Sequence, residues 1–227
     1  MPYIWPVIDA HALLFDMDGL MVDSEPLWFD VERDFARARG GDWTEELADA
    51  CIGKGLANTL RVMNATFGFA IDQARDQSEI IDRFLARAPS LAIKPGCKEL
   101  LDAARGVVPL AAASSSARRL VHGVLEGLAL APYFGAIVTG DDVVHPKPAP
   151  DIFLESARRL GVDPRGCVVL EDSLAGATAG HAAGMPVIAV PEHETPGLDR
   201  VSTHIVRDLH EARALLRLVA KPSSQKP

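Results

Sequence analysis

The sequence is short of several things, and each shortage narrows its class. It has three cysteines, Cys51, Cys97 and Cys167, widely spaced and odd in number, with no C-x-x-C pair. They read as buried thiols of a reducing compartment rather than a disulfide framework. No window approaches the ~20 apolar residues that span a bilayer. The first residues carry no basic region followed by an apolar stretch, so no secretory leader is expected. Positive charge is in deficit: 23 Lys and Arg face 31 Asp and Glu, for a formal charge of −8. A nucleic-acid surface needs clustered cations and is not expected. A small anionic substrate stays open, provided a pocket is made locally cationic, as a bound metal would do. Seven histidines are dispersed, with no H-x-x-x-H pair, and none is assigned to a metal. The chain is thus expected to be cytoplasmic, without membrane or nucleic-acid partners, and a monomer or weak dimer.

What the sequence does have is apolar material for a core: 48% of 227 residues. Short apolar runs alternate with helical patterns, the signature of an α/β fold with a Rossmann-like parallel sheet flanked by helices. The expected strands are Ala12–Phe15, Val108–Ala113, Ala136–Thr139, Cys167–Leu170 and Val187–Val190, with His204–Val206 a weaker sixth. Each is nearly all apolar, as strands buried on both faces are. The first four end in polar residues: Asp16, Ser114, Gly140-Asp141 and Glu171-Asp172. Ligands of open parallel sheets gather at carboxyl ends of strands, so chemistry is expected there.

Between the first two strands lies a stretch without strand character. Helices are expected near Leu27–Arg39, Thr44–Ala50, Leu56–Phe67 and Ala74–Ala88, separated by Gly40-Gly41, Gly53, Gly68 and Pro89. An insert of about 60 residues is too long for a loop and reads as a second, helical cap domain. The expected division is a core of residues 1–24 and 91–220, a cap of 25–90, and a disordered tail of 221–227. Asp23 and the segment Ile93-Lys94-Pro95-Gly96 are read as hinges.

Four stations carry candidate chemistry. In Asp16-Met17-Asp18-Gly19, Gly19 permits a sharp turn that lets both acids approach one ligand, one to attack and the other to move a proton. Ser114-Ser115-Ser116 opens a helix; such serines cap, and the same helix start can seat a phosphate. Lys147 stands between Pro146 and Pro148, which are expected to hold the chain extended and present a fixed cation. Glu171 and Asp172 suit Mg2+ ligation, while Asp172 or Ser173 could equally be a helix cap. Asp141 and Asp142 could tune the pocket. Lys54, between Gly53 and Gly55, is a candidate substrate contact from the helical insert, and Trp28 and Trp43 are read mainly as packing residues there.

In this order the stations resemble the haloacid dehalogenase superfamily, in the branch with a helical cap after the first motif that includes sugar phosphatases and β-phosphoglucomutases. Phe15-Asp16-Met17-Asp18-Gly19-Leu20, Ser114, Lys147 and Leu170-Glu171-Asp172-Ser173 carry the likeness, over residues 10 to 210. The resemblance implies a Mg2+-dependent phosphatase acting on a small phosphorylated metabolite, with a sugar phosphate the first choice. Asp16 would be the nucleophile that forms an aspartyl-phosphate, and Asp18 the general acid and base. Mg2+ would be held by Asp16, Asp18 through its carbonyl, and Asp172, with Glu171 at or near the metal. Ser114, Ser115, Gly19 and Lys147 would surround the phosphoryl group. Dehalogenases lack the second aspartate, so Asp18 points to phosphoryl chemistry. A phosphosugar mutase is the nearer alternative, although Leu27-Trp28 stands where those mutases carry a histidine. A phosphoacceptor signalling module is the alternative of another class, against which the Asp16/Asp18 pair and the insert both argue.

Overall fold

The computed structural model describes residues 6–51 and 55–220. The segment 221–227, expected to be disordered, and Lys54 lie outside them. In chain order the strands are β1 Ile8–Ala10, β2 Ala12–Phe15, β3 Val22–Asp23, β4 Ala92–Ile93, β5 Leu110–Ser114, β6 Ala136–Thr139, β7 Cys167–Glu171, β8 Val187–Ala189, β9 His204–Ile205 and β10 Leu216–Leu218. The helices are α1 Glu25–Arg37, α2 Glu45–Asp49, α3 Leu56–Phe67, α4 Gln73–Arg87, α5 Cys97–Ala104, α6 Arg118–Gly127, α7 Asp151–Leu160, α8 Leu174–Ala182 and α9 Leu209–Ala214. The chain divides into two compact units, one of Met1–Asp23 with Ala92–Pro227 and the other of Ser24–Leu91.

The first unit is an α/β structure around a six-stranded sheet of order β6-β5-β2-β7-β8-β9, every pair parallel. β2 lies between β5 and β7, which brings the ends bearing Asp16, Ser114 and Glu171 side by side. All residues of β2, β5 and β7 are buried, which accounts for their unbroken apolar character. Alanine is a weak strand former, yet β5 contains Ala111-Ala112-Ala113. Its small side chains leave room for Ile152, Phe153 and Ala157 of α7 in the same core. Two further ribbons escape the sequence pattern. β1 pairs in parallel with β10 near the far end of the chain, and β3 pairs antiparallel with β4. Strands of two or three residues are too short to show periodicity.

The second unit is helical. α1 starts two residues earlier than expected because Pro26 sits in its first turn, where no N–H is needed. Trp28 of α1 stacks on Phe84 of α4, ring centroids 4.1 Å apart. Trp43 is buried, and its indole Nε1–H donates to Glu32 Oε2 at 3.1 Å. Both tryptophans are thus packing residues of this unit.

Candidate active site

The site begins where β2 runs out. The Asp16 N–H donates to the Leu170 carbonyl of β7 at 3.0 Å, so Asp16 is still in register with the sheet. Beyond it the chain doubles back: Gly19 N–H donates to the Val22 carbonyl (2.9 Å), and the Met21 and Val22 N–H groups both donate to the Met17 carbonyl. Gly19 is at φ +83°, a region costly for residues with a Cβ. There is also no space for one, because a Cβ at Gly19 would overlap the Asp172 carboxylate. The glycine of the first station is therefore what allows the fourth to close on it.

Lys147 holds the centre. Its ammonium donates to Asp16 Oδ1 at 2.5 Å, Glu171 Oε1 at 2.7 Å and the Ala113 carbonyl at 3.0 Å. A lysine has three N–H donors, and each has an acceptor here. The surrounding segment is not extended as the two prolines led us to expect. It turns: Ala149 N–H donates to the Pro146 carbonyl at 3.0 Å, and the Lys147–Pro148 peptide is cis. Glu171 is fully buried, and its second oxygen, Oε2, accepts the Ser173 N–H (2.8 Å) and Oγ–H (2.9 Å).

Asp18 occupies different surroundings. Its Oδ2 lies 3.2 Å from Ser116 Oγ and 3.5 Å from Ser114 Oγ. Ser114 Oγ also accepts the Ser116 N–H at 3.1 Å, tightening the turn after β5. Ser115, expected to bind phosphate, is exposed, and the hydroxyls that reach Asp18 belong to Ser114 and Ser116.

The electrostatics are lopsided. Two carboxylates, Asp16 and Glu171, share the one buried ammonium, and the charges of Asp18 and Asp172 act on the same cluster. Burial raises Asp16, aided by Glu171 and Asp18 and opposed by the Lys147 charge. Burial also raises Asp172, reinforced by Asp16 and Glu171. Burial alone would raise Glu171 too, but Lys147 and the Ser173 donors hold it below the ordinary glutamate value. For Lys147 burial acts downward, and the Asp16 and Glu171 carboxylates outweigh it to keep the ammonium charged. Asp16, Glu171 and Asp172 each offer an oxygen within 4.8 Å of the others. An all-oxygen set with surplus negative charge fits a hard divalent cation such as Mg2+.

Other expected contributors have structural partners. Asp141 Oδ2 accepts the Arg118 N–H at the start of α6 (2.8 Å). Asp142 takes Thr139 N–H and Oγ–H together with the Arg118 and Arg159 guanidiniums, clamping α6 and α7 to the end of β6. His145 pairs with Asp151 at 2.9 Å. The Ala113 carbonyl takes part without any sequence signal, whereas Ser116 and Ser173 stand in the second and fourth stations, Ser173 as an expected helix cap.

The profile of haloacid dehalogenase-like hydrolases matches residues 10–184. Hexitol phosphatase B of Escherichia coli K12 is 34% identical over 204 residues, covering 81% of this chain and 84% of its own. A fructose-1-phosphate phosphatase of the same organism is 33% identical, with 79% and 95% covered. Among solved structures, a Thermotoga maritima protein described as a candidate β-phosphoglucomutase superposes with a TM-score of 0.79 at 29% identity, covering 90% of this chain and 98% of its own. Among the described residues, no helix is long and apolar enough to cross a membrane. The chain belongs to the haloacid dehalogenase-like hydrolase family.

Proposed function

We propose that this protein is a Mg2+-dependent phosphatase of small phosphorylated metabolites, sugar or sugar-alcohol phosphates foremost, working through an aspartyl-phosphate on Asp16. The observation that carries the reading is the contrast between two carboxylates two residues apart. Asp16 is buried and pinned by Lys147, whereas Asp18 has the Ser114 and Ser116 hydroxyls within reach. One is placed to attack and the other to handle protons.

In the first step the Asp16 carboxylate attacks phosphorus and the ester P–O bond breaks, Asp18 giving its proton to the leaving oxygen. In the second, Asp18 takes a proton from a water molecule. That water attacks the acyl phosphate, releasing inorganic phosphate and restoring Asp16. Lys147 and Ser114 hold the transferring group. Asp16, the Asp18 carbonyl and Asp172 are the residues that would hold Mg2+, with Glu171 beside them. When bound, the ion supplies charge neutralisation at the phosphoryl oxygens. Neutralisation matters because uncatalysed phosphate-monoester hydrolysis is among the slowest reactions known, with enzymatic accelerations up to ~10²¹. The sugar class is supported by the names of the two Escherichia coli relatives. The helical unit Ser24–Leu91 is read as the cap that selects the leaving group, and Lys54 as one of its contacts.

The test is a phosphate-release screen over sugar, sugar-alcohol, nucleotide and glycolate phosphates with Mg2+, repeated in EDTA and with Asp16→Asn. Wild type should release phosphate from a subset in Mg2+ alone, and Asp16→Asn from none. Equal rates for the two proteins would overturn the mechanism. The Thermotoga maritima neighbour keeps the mutase alternative in play. Conversion of β-glucose 1-phosphate to the 6-phosphate without net phosphate release would favour it.

A further inference from the structure

The Lys147 ammonium sits between two carboxylates, and one of them, Glu171, rests on a neutral residue. Ser173 donates twice to Glu171 Oε2, through its N–H and its Oγ–H. The same Oγ accepts the Gly176 N–H at 3.1 Å as the N-cap of α8. A hydroxyl has one proton, and here it is directed at Glu171 while the oxygen is also engaged by the helix. The carboxylate is enclosed on its other side as well, since a Cβ at Gly176 would overlap it. Glu171 is thereby aligned with Oε1 toward Lys147 and Oε2 toward Ser173.

We propose that Ser173 is a positioning residue: through Glu171 it sets where the Lys147 ammonium stands relative to Asp16. The proposal rests on the phosphatase reading and deepens it. Without the hydroxyl, Oε2 loses one of its two Ser173 donors and keeps the backbone N–H. The Glu171 carboxylate can then swing, and Lys147 follows it away from the Asp16 oxygen that it holds at 2.5 Å. Groups that orient the residues around a reacting centre change its rate more than its affinity for substrate.

Three variants separate this role from simple helix capping. Ser173→Ala removes both the cap and the donor to Glu171, and Ser173→Thr retains both. Asp208→Ala removes the cap of α9, where Asp208 Oδ1 accepts the Glu211 N–H at 2.9 Å without touching Glu171. Two readouts are used: steady-state hydrolysis of p-nitrophenyl phosphate in Mg2+, and the 1H–15N spectrum of the lysine ammonium groups. In that spectrum Lys147 is identified as the signal missing from Lys147→Arg. Ser173→Ala should lower kcat roughly 10- to 100-fold, change KM by less than about threefold, and displace or broaden the Lys147 signal. Ser173→Thr should restore both, and Asp208→Ala should alter neither. A Ser173→Ala protein with wild-type kcat and an unmoved Lys147 signal would refute the proposal, as would the same losses in Asp208→Ala. If the wild type hydrolyses no phosphate ester, the phosphatase reading fails separately. The Lys147 signal then decides the positioning claim alone: unmoved in Ser173→Ala refutes it, displaced supports it.

Discussion

Glu32 offers a measurement independent of substrate. Its carboxyl lies inside the helical unit, where it accepts the Trp43 indole N–H at 3.1 Å and a hydrogen bond from buried Thr59. Burial raises it from an ordinary value of 4.5 to about 7, against the opposing effect of those two donors. Because the folded-state value lies above the unfolded one, the folded protein holds this proton more tightly. The resulting stabilisation is complete below pH 4.5 and is lost as the pH rises through about 7. At about 1.4 kcal/mol per pH unit, an ionised Glu32 costs the folded state about 3 kcal/mol by pH 8. Glu32→Gln replaces the acid by a neutral isostere whose carbonyl oxygen can still accept the indole N–H. The two proteins should therefore be closest in stability at pH 5 and separate mainly between pH 5 and about 7, the variant gaining about 2–3 kcal/mol over that range and little more by pH 8. Urea unfolding followed by tryptophan emission at pH 5, 6, 7 and 8 makes the comparison, since Trp43 reports directly on this contact. Parallel stability curves across that range would show that Glu32 does not titrate in the folded unit, and the argument from burial would be wrong.

Two other substitutions test the geometry of the core site. Gly19→Ala places a methyl group at positive φ and against Asp172, so it should lower stability by about 1–3 kcal/mol and raise the Mg2+ concentration needed for half-maximal activity. Denaturation and a metal titration of activity read the two effects. Ser116→Ala should reduce kcat, since its hydroxyl reaches Asp18, whereas Ser115→Ala at an exposed position should leave kinetics within about twofold of wild type. Equal effects of the two would show that the hydroxyl near Asp18 does not matter.

Much of the arrangement was legible because a parallel sheet writes itself plainly. Ala12–Phe15 and Ala136–Thr139 are strands with the bounds their apolar runs imply, and Leu56–Phe67 is the helix that its spacing and flanking glycines mark. Asp16, Ser114 and Glu171 stand at strand ends for the same reason. Side-chain direction within a turn was not legible: whether Ser115 or Ser116 faces Asp18 depends on how the chain leaves β5. The Lys147 segment was misjudged because proline restricts φ in turns and extended chain alike. Pairing of β1 with β10 joins residues some 200 apart in sequence, Ile8 with Leu216, and local pattern carries no trace of it. Ser173 shows the mixed case. Its capping role follows from residue type and place, but its donation to Glu171 depends on where a buried carboxylate turns.

The saturation of Lys147 has a consequence for turnover. An ammonium already shared among Asp16, Glu171 and the Ala113 carbonyl does not gain a partner when a phosphoryl group arrives. It trades one, and the net free energy is the difference between two hydrogen bonds rather than the whole of one. The neutral Ala113 carbonyl, at the longest of the three distances, is the natural one to yield. The same trade runs in reverse when inorganic phosphate departs, with the carbonyl taking back its donor. On the proposed chemistry such a site grips product weakly in its resting state, and keeps its cation's strongest contribution for the moment when charge builds on the phosphoryl oxygens.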